Sequence, residues 1–489
     1  MSFLGIDIGS SQVKAAAFAE DGSVLASARC AYSYTVPEAG AMELDGNTVL
    51  SAALEVIKKC SNAVREISPV RAMACSSQGE AFSMLDEGGN ILAPAMISGD
   101  IRPAAAVEKF LQSANKADLY RRTGQELSAM FSLAKLLYIR ENQPELFRRA
   151  KKFLCFEDLL TCRLTGRAVM GSSLANRTML YDLKNQCWDA DITAMCGIAP
   201  EQLAEVAPAG TIIGKVLPSA AAQLGLDKDV YVVSGGHDQI MGAFGCGAVK
   251  PGMAMYAAGS VQAMVPVMDK LILSDELFES NLCTSNFAVQ GMYCSIAYSL
   301  TGSNLTEYFI REIVQDKERN YKALYDSMPT AATDLLVLPY FTASGTPYFD
   351  ANTPGCIYGM RFGTSRGELF KACCEGVAME MRLNYELLRK NGFALECLIA
   401  SGGGFQQSSA VQLHSDILGL PIALCNERET GCRGAASLSA WALTGEALPA
   451  PEILQVIECN ETNHQIYNEK FAKWKVFSSQ IRSLSKWQS

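Results

Sequence analysis

The chain has 489 residues, room for about two to four domains at ~100–200 residues each, and 49% hydrophobic against 19% charged residues excludes a disordered chain. Lys+Arg 42 against Asp+Glu 51 leaves a net charge of −9, with no block of basic residues to serve as a nucleic-acid surface. No run of about 18 apolar residues is present to cross a membrane, and no basic segment precedes the apolar N-terminus, so a cytoplasmic protein without membrane or nucleic-acid partners is expected.

Phe3–Asp7 reads as a short apolar strand, Gly9-Ser10-Ser11 as a tight polar turn, and Gln12–Phe18 as a second strand of small residues. Asp21-Gly22 then turns into a third strand, Val24–Ser27. Asn47–Ile67 places Leu50, Ala53, Leu54 and Ile57 on one face of an amphipathic helix. Arg71–Cys75 is a buried strand, and helices are expected over 102–112, 131–141 and 144–152, with Pro144 in the first turn of the last.

Mid-chain, the apolar strand Val230–Ser234 runs into Gly235-Gly236-His237-Asp238, ahead of a helix from Ile240. After Lys250-Pro251-Gly252, the stretch Met253–Pro266 repeats the opening pattern of strand, Gly259-Ser260 turn and small-residue strand. Cys397–Ala400 is a strand leading into Ser401–Gly404, which opens a helix over 406–419. A strand at Pro421–Leu424 and a helix at Gly434–Leu443 follow. The repeat and the alternation predict an α/β protein of two related halves, 1–249 and 250–489, with a cleft between them.

Three Gly-rich turns follow strands, at Gly9-Ser10-Ser11, Gly259-Ser260 and Gly402-Gly403-Gly404. Each is either ordinary turn chemistry or a nest of backbone N–H groups for an anion; three of them, two in matching places, favour phosphate. No GxxxxGK[ST] segment occurs, so the site is not a P-loop. Two acids stand beside these turns. Asp7 lies between Ile6 and Ile8, where an unpaired carboxylate costs several kcal/mol, so a metal, donors or a proton to move are expected there. Asp238 is either a helix cap or a working carboxylate.

The 17 cysteines show no CxxC spacing and the three histidines, His237, His414 and His464, are far apart, so a zinc site and a disulfide framework are not expected. A metal, if used, is a hard ion held by carboxylate and phosphate, as Mg²⁺ is. Gly363-Thr-Ser365-Arg-Gly367 matches the nucleophile-elbow pattern GxSxG, but the pattern is short and Gly359–Phe362 is a poor strand to precede it.

Taken in order, these segments resemble the FGGY carbohydrate kinases, which have the actin/hexokinase ATPase fold of two RNase H-like domains around a catalytic cleft. Leu4–Ala17 resembles the first phosphate loop, and Gln78–Glu80 with Asp100–Arg102 the acceptor-binding segments. Thr211–Gly214 precedes Gly235–Gln239, which resembles the segment holding the catalytic Asp. Gly259-Ser260 resembles the second phosphate loop. Glu375–Ala378, Ser401–Gly404, Ser415–Gly419 and Gly431–Ala436 resemble the C-terminal signature and adenosine site.

The resemblance implies ATP and Mg²⁺ as cofactors and a sugar or polyol as acceptor, xylulokinase-like pentuloses and hexuloses first. It makes Asp238 the general base and Asp7 the Mg²⁺ residue. Glu80, Asp100, Arg102, Asp238 and Gln239 then bind the acceptor, while Gly9, Ser10, Ser11, Lys14, Gly259, Ser260, Gly302, Gly403 and Gln407 bind the nucleotide. A homodimer is compatible with the sequence but not read from it.

Departures from the family bear on the acceptor. Gly79, Ser98 and Met130 stand where glycerol kinases carry Arg, Trp and Tyr, which predicts a wider pocket with room beside Glu80. Glu80 replaces the usual His of xylulokinases, and Ala343-Ser-Gly345-Thr-Pro347 lacks the Arg of the family's Gly-Glu-Arg-Thr-Pro. The acidic residues favour a neutral polyhydroxylated acceptor over a sugar acid, with Arg102 as an offset. A polyol or aldonate kinase is the alternative, and an inactive sugar-binding regulator the alternative of another class.

Overall fold

The apolar segment Ser2–Ile8 forms strand β1 and returns through residues 9–11 as β2 (Gln12–Ala19), with Asp7 registered opposite Lys14. The computed structural model describes residues 1–485 apart from 316, 317, 319, 351 and 406. Strand β3 (Val24–Ala31) extends the meander and leaves its outer residues exposed. Helix α1 (Gly46–Val64) starts at Asp45, whose carboxylate accepts the backbone N–H of Asn47 and Thr48. The helix buries Val49, Val56 and Ile57 in the same core as Leu4, Ile6 and Val13.

Strands β4 (Val70–Ser77), β5 (Ile212–Lys215) and β6 (Tyr231–His237) complete the first sheet in the order β5-β6-β4-β1-β2-β3. β1, β4 and β6 run parallel, and β5 closes the edge antiparallel. Helix α2 (Asp238–Gly245) then leads into the second half.

There the pattern is rebuilt. β7 (Met253–Ala258) and β8 (Gln262–Met268) form the hairpin, flanked beyond β8 by β9 (Ser285–Asn286), β10 (Tyr293–Cys294) and β11 (Ala297–Ser299). Past the long helix α3 (Arg366–Lys390), β12 (Cys397–Ser401) joins β7 in parallel. Helix α4 (Ser408–Leu418), parallel strand β13 (Ile422–Cys425), helix α5 (Thr430–Thr444), antiparallel edge strand β14 (Ile453–Ile457) and helix α6 (Glu461–Ser485) finish it. A hairpin, two parallel partners and an antiparallel edge therefore occur twice.

The halves exchange helices. α5 lies on the first sheet, where Cys432, Ala435 and Ala436 pack with Phe3, Phe18, Ala72 and Val233. α2 goes the other way, placing Ile240, Met241 and Ala243 against Met255 and Val265 of the second sheet. Where the two helices touch, a Cβ on Gly434 would lie 2.0 Å from the Met241 carbonyl oxygen, and one on Gly245 1.9 Å from that of Thr430. Only glycine permits this approach.

Most expected elements form with ends shifted by a few residues, because caps set the ends. The helices expected at 102–112 and 144–152 are shorter, Ala104–Phe110 and Pro144–Arg149. The helix expected from 406 starts at Ser408, behind a 3₁₀ turn at Gly403–Phe405, so the third glycine turn does not itself open it; residue 406 lies outside the described residues. Ser365 of the GxSxG match caps α3 in a capping box with Glu368, the role of a structural serine rather than a nucleophile. Among the described residues no helix is long and apolar enough to cross a membrane.

Candidate active site

The chemistry-bearing residues sit at the C-terminal ends of parallel strands, where open α/β sheets place ligands. Asp7 is the penultimate residue of β1, Ser76 and Ser77 end β4 and Gln78–Glu80 follow it, His237 ends β6 and Asp238 follows, Gly259-Ser260 follow β7, and Ser401 ends β12 ahead of Gly402-Gly403.

At Asp7, Oδ1 accepts the Ser76 hydroxyl at 2.7 Å, and Gly431 of the second half abuts the carboxylate. Burial pushes its carboxyl above the usual carboxylate range, against the Ser76 hydrogen bond and the Lys14 charge. Ser10 and Ser11 are exposed beside it, while Tyr32 and Gln78 donate to the Gly9 carbonyl and hold the loop. Lys14 reaches across the cleft to Glu429 at 2.7 Å.

On the other side, Gly259 and Ser260 form the matching loop, and Ser303 donates its backbone N–H to the Gly259 carbonyl. Gly302 packs on this loop so closely that a Cβ would lie 2.6 Å from the Gly259 oxygen. A cavity of ≈ 520 Å³ runs from Lys14 past Ser401, Gly402 and Gly403 to Asn426 and Glu429, a size suited to a nucleotide. Gln407 is the N-cap residue of α4 and is not among the residues that line this cavity. The structure thus brings Lys14 and Gly403 to one cavity, and Gly259 and Gly302 to a smaller one with Gly404.

Asp238 is the first residue of α2 rather than its cap, which is His237. Its Oδ1 accepts the Gln239 backbone N–H at 2.6 Å, and its Oδ2 has no partner among the described residues. Burial, then the Asp7 and Glu80 carboxylates, push its carboxyl up to about 8. His237 Nε2 lies 3.4 Å away, and burial followed by the Arg177 charge pushes that imidazole down to about 3, so it is neutral. The Oε1 of Gln239 is buried without a partner among the described residues. Behind β6, Glu157 accepts the backbone N–H of Gly235 at 2.8 Å and fixes the strand just before the site.

Glu80 is buried at positive φ (65°), an uncommon conformation for a non-glycine residue that its surroundings over-determine. Ser132 and Lys135 donate to its backbone carbonyl at 2.9 and 3.0 Å, and Ser98 donates to Oε2 at 2.7 Å. Arg177 Nε donates to Oε1. Although burial raises a carboxyl, the Arg177 charge leads the contributions that hold Glu80 below its ordinary value.

Several expectations need correction here. The space expected beside Glu80 is filled, since a Cβ on Gly79 would meet the His237 ring at 2.8 Å and Arg177 Cβ at 3.3 Å. Arg177 brings a buried cation against Glu80, so the surroundings of Glu80 are less acidic than the sequence suggests. Asp100 and Arg102, expected to bind the acceptor, bond each other in the structure. Arg102 donates to both Asp100 oxygens, to Glu43 and to Glu38, and Met42 N–H donates to Asp100. A wholly buried carboxylate must be paired, and every nitrogen of Arg102 that donates is spent on carboxylates, so the pair pins residues 38–43. Arg cannot occupy position 345 either, because a Cβ on Gly345 would lie 2.1 Å from the Tyr298 carbonyl oxygen. Arg177, Ser76, His237 and Lys135 are the residues that sequence reasoning did not assign to the site. Nothing in Asn176-Arg177-Thr178 marks it locally; its partner is 97 positions away.

Residues 2–245 match the FGGY family of carbohydrate kinases, N-terminal domain, and residues 266–443 match its C-terminal domain. The chain is 23% identical over 483 residues to a xylulose kinase of Staphylococcus xylosus, covering 96% of this chain and 98% of that one. It is 24% identical over 449 residues to a gluconokinase of Bacillus licheniformis, covering 90% and 87%. Its fold is that of the ligand-bound xylulose kinase from Lactobacillus acidophilus, with a TM-score of 0.91 at 21% identity and full coverage of both chains. The chain belongs to the FGGY family of carbohydrate kinases and is a phosphotransferase with an alcohol group as acceptor.

Proposed function

We propose that the protein transfers the γ-phosphoryl group of ATP to a hydroxyl of a small sugar, with pentuloses and hexuloses the foremost acceptors. The observation that carries this reading is Asp238, a carboxylate with one unengaged oxygen at the start of the helix that joins the two loop-bearing halves. Its Oδ2 takes the proton of the acceptor hydroxyl as that oxygen attacks the γ-phosphorus in line. The new O–P bond forms while the bond to the β-phosphate oxygen breaks, and ADP leaves.

Gly9, Ser10, Ser11 and Lys14 would neutralise the β- and γ-phosphates from one side and Gly259 and Ser260 from the other. Gly302, Gly403 and Gln407 belong to the α-phosphate and adenosine end. Asp7 fits a Mg²⁺ ion: its half-buried carboxylate stands beside the Gly9–Ser11 loop, with Oδ1 on the Ser76 hydroxyl and Oδ2 without a hydrogen-bond partner among the described residues. That donor set suits an ion held mainly by substrate phosphates, where it would neutralise charge. Glu80 and Gln239 would orient the acceptor hydroxyls, and closure of halves 1–249 and 250–489 would exclude water.

One observation supports a second acceptor class. The Arg177 guanidinium beside Glu80 removes the electrostatic objection to an aldonate. ADP formation measured across pentuloses, hexuloses, polyols and aldonates separates the readings. A ketose should give the highest kcat/KM; an aldonate in that place selects the second reading. No turnover with any acceptor would leave a sugar-binding regulator.

A further inference from the structure

Beyond Arg177 lies a second space that the phosphoryl-transfer chemistry does not use. It is a cavity of ≈ 270 Å³ between the halves, about nine times the share of liquid volume taken by one water molecule (≈ 30 Å³). Arg177 and Phe131 line it from the first half, and Tyr298, Tyr348 and Phe349 from the second. Arg177 is the link to the catalytic end. It bonds Glu80 on one side and Gln125 Oε1 at 3.1 Å on the other, its guanidinium lying 4.8 Å from the centre of the Phe131 ring.

Phe349 gives a second, independent observation. It sits at φ 48°, a conformation that a bulky side chain adopts only when its surroundings impose it. The loop holds it and is itself tied to β11: Phe349 and Tyr348 both donate backbone N–H to the Gly345 carbonyl, and Thr346 N–H donates to the Tyr298 carbonyl at 2.8 Å. Gly345 is pressed against that same tyrosine. The Phe349 ring is thereby held edge-on to the Tyr298 ring, centroids 5.6 Å apart, as a wall of the cavity. Strained backbone that sets an aromatic wall is characteristic of ligand clamps, and aromatic faces with a few fixed polar groups suit the carbon faces and hydroxyls of a sugar chain.

We propose that this cavity is a distal subsite that receives the acceptor carbons remote from the reacting hydroxyl, and that it selects polyhydroxylated acceptors of five or six carbons over three-carbon polyols. The inference rests on the reading of the chain as an ATP-dependent sugar kinase. A three-carbon acceptor engaged at Asp238 leaves the space behind Arg177 filled only by water. A longer one covers Phe131 and Tyr298 and reaches the wall at Phe349.

The test is steady-state kinetics of the full-length protein with glycerol, erythritol, D-xylulose, D-ribulose, D-fructose and D-tagatose. Wild-type kcat/KM should be at least tenfold higher for the best five- or six-carbon acceptor than for glycerol. Ser128 borders the cavity from a half-buried loop position, so Ser128→Phe should fill it. That variant should raise KM for the long acceptors at least tenfold and change KM for ATP less than twofold. Phe349→Ala, which removes the wall without crowding, should raise the same KM severalfold and serves if Ser128→Phe does not fold. Equal kcat/KM for glycerol and the ketoses, or long-acceptor KM within twofold of wild type in a folded variant, overturns the distal subsite while the kinase reading stands. Failure to phosphorylate any of these acceptors overturns the ketose reading together with the distal subsite.

Discussion

Lys14 and Glu429 form an ion pair across the cleft, one from the strand after the Gly9–Ser11 loop and the other from the residue before α5. Burial lowers a lysine, yet the Glu429 hydrogen bond and charge hold Lys14 above its ordinary value. The same ammonium lines the proposed nucleotide cavity, so the carboxylate competes with phosphate for it. Both side chains are partly exposed, and such pairs contribute about 0.2–1 kcal/mol. Glu429→Gln should therefore lower KM for ATP by no more than about fivefold, whereas Lys14→Ala should raise it. Initial rates at saturating acceptor check both signs, and a raised KM in Glu429→Gln would show that Glu429 aids nucleotide binding.

Asp238→Ala should keep the fold and bind ATP while kcat falls by ~10²–10⁴-fold or more. Calorimetric titration with nucleotide alongside turnover separates loss of chemistry from loss of structure. Turnover near wild type would remove Asp238 as the base.

The pH profile reports the same group. A general base works ionised, so kcat/KM for the acceptor should fall as pH drops through the Asp238 pKa, which burial and then the Asp7 and Glu80 carboxylates push up to about 8. A bound divalent cation near Asp7 would move this limb down. Glu80 is one of the charges that raise it, and Glu80→Gln should shift the limb to lower pH. The same variant loses a charge-assisted contact of ~1.5–3 kcal/mol, hence roughly ten- to a hundredfold in kcat/KM for sugar, with KM for ATP little changed. Unaltered sugar kinetics and an unmoved limb would place Glu80 outside the acceptor site.

Gly434→Ala puts a methyl group where the Met241 carbonyl oxygen is 2.0 Å away, so α2 and α5 must part. Overpacking of this kind costs about 1–3 kcal/mol or more. A lowered Tm is expected, together with impaired compaction on adding sugar and nucleotide in small-angle scattering. Compaction is the wild-type expectation, because the two loops proposed to bind phosphate lie on opposite halves. A variant as stable and as compactable as wild type would show that the helix contact is not tight in solution.

What the sequence discloses and what it hides divide along the range of the interactions. The hairpins around Gly9 and Gly259 and the acid buried between Ile6 and Ile8 are local patterns, so they are legible. Glu80 is legible as a strand-end acid, but its partner is not: Arg177 meets it only because the segment after Gly171 folds back against the loop that follows β4. Gly79 misled for the same reason, since an absent side chain looks like space until His237 is seen to fill it. Asp100 and Arg102 are legible through the family resemblance, while Glu38 and Glu43, which pair with Arg102, are distant in sequence and are not.

The exchanged helices change what a break in the chain can do. A protease cut in the turn at residues 249–252 severs the one covalent crossing between α2 and β7, yet each fragment keeps a helix seated in the other's core. Parting the fragments would uncover Ile240 and Met241 on one and Cys432, Ala435 and Ala436 on the other, apolar area worth roughly 25 cal/mol per Å². The nicked protein should therefore migrate as one particle on a sizing column and as two bands after denaturation. Expressed separately, the fragments should be poorly soluble alone and recover phosphoryl transfer when refolded together.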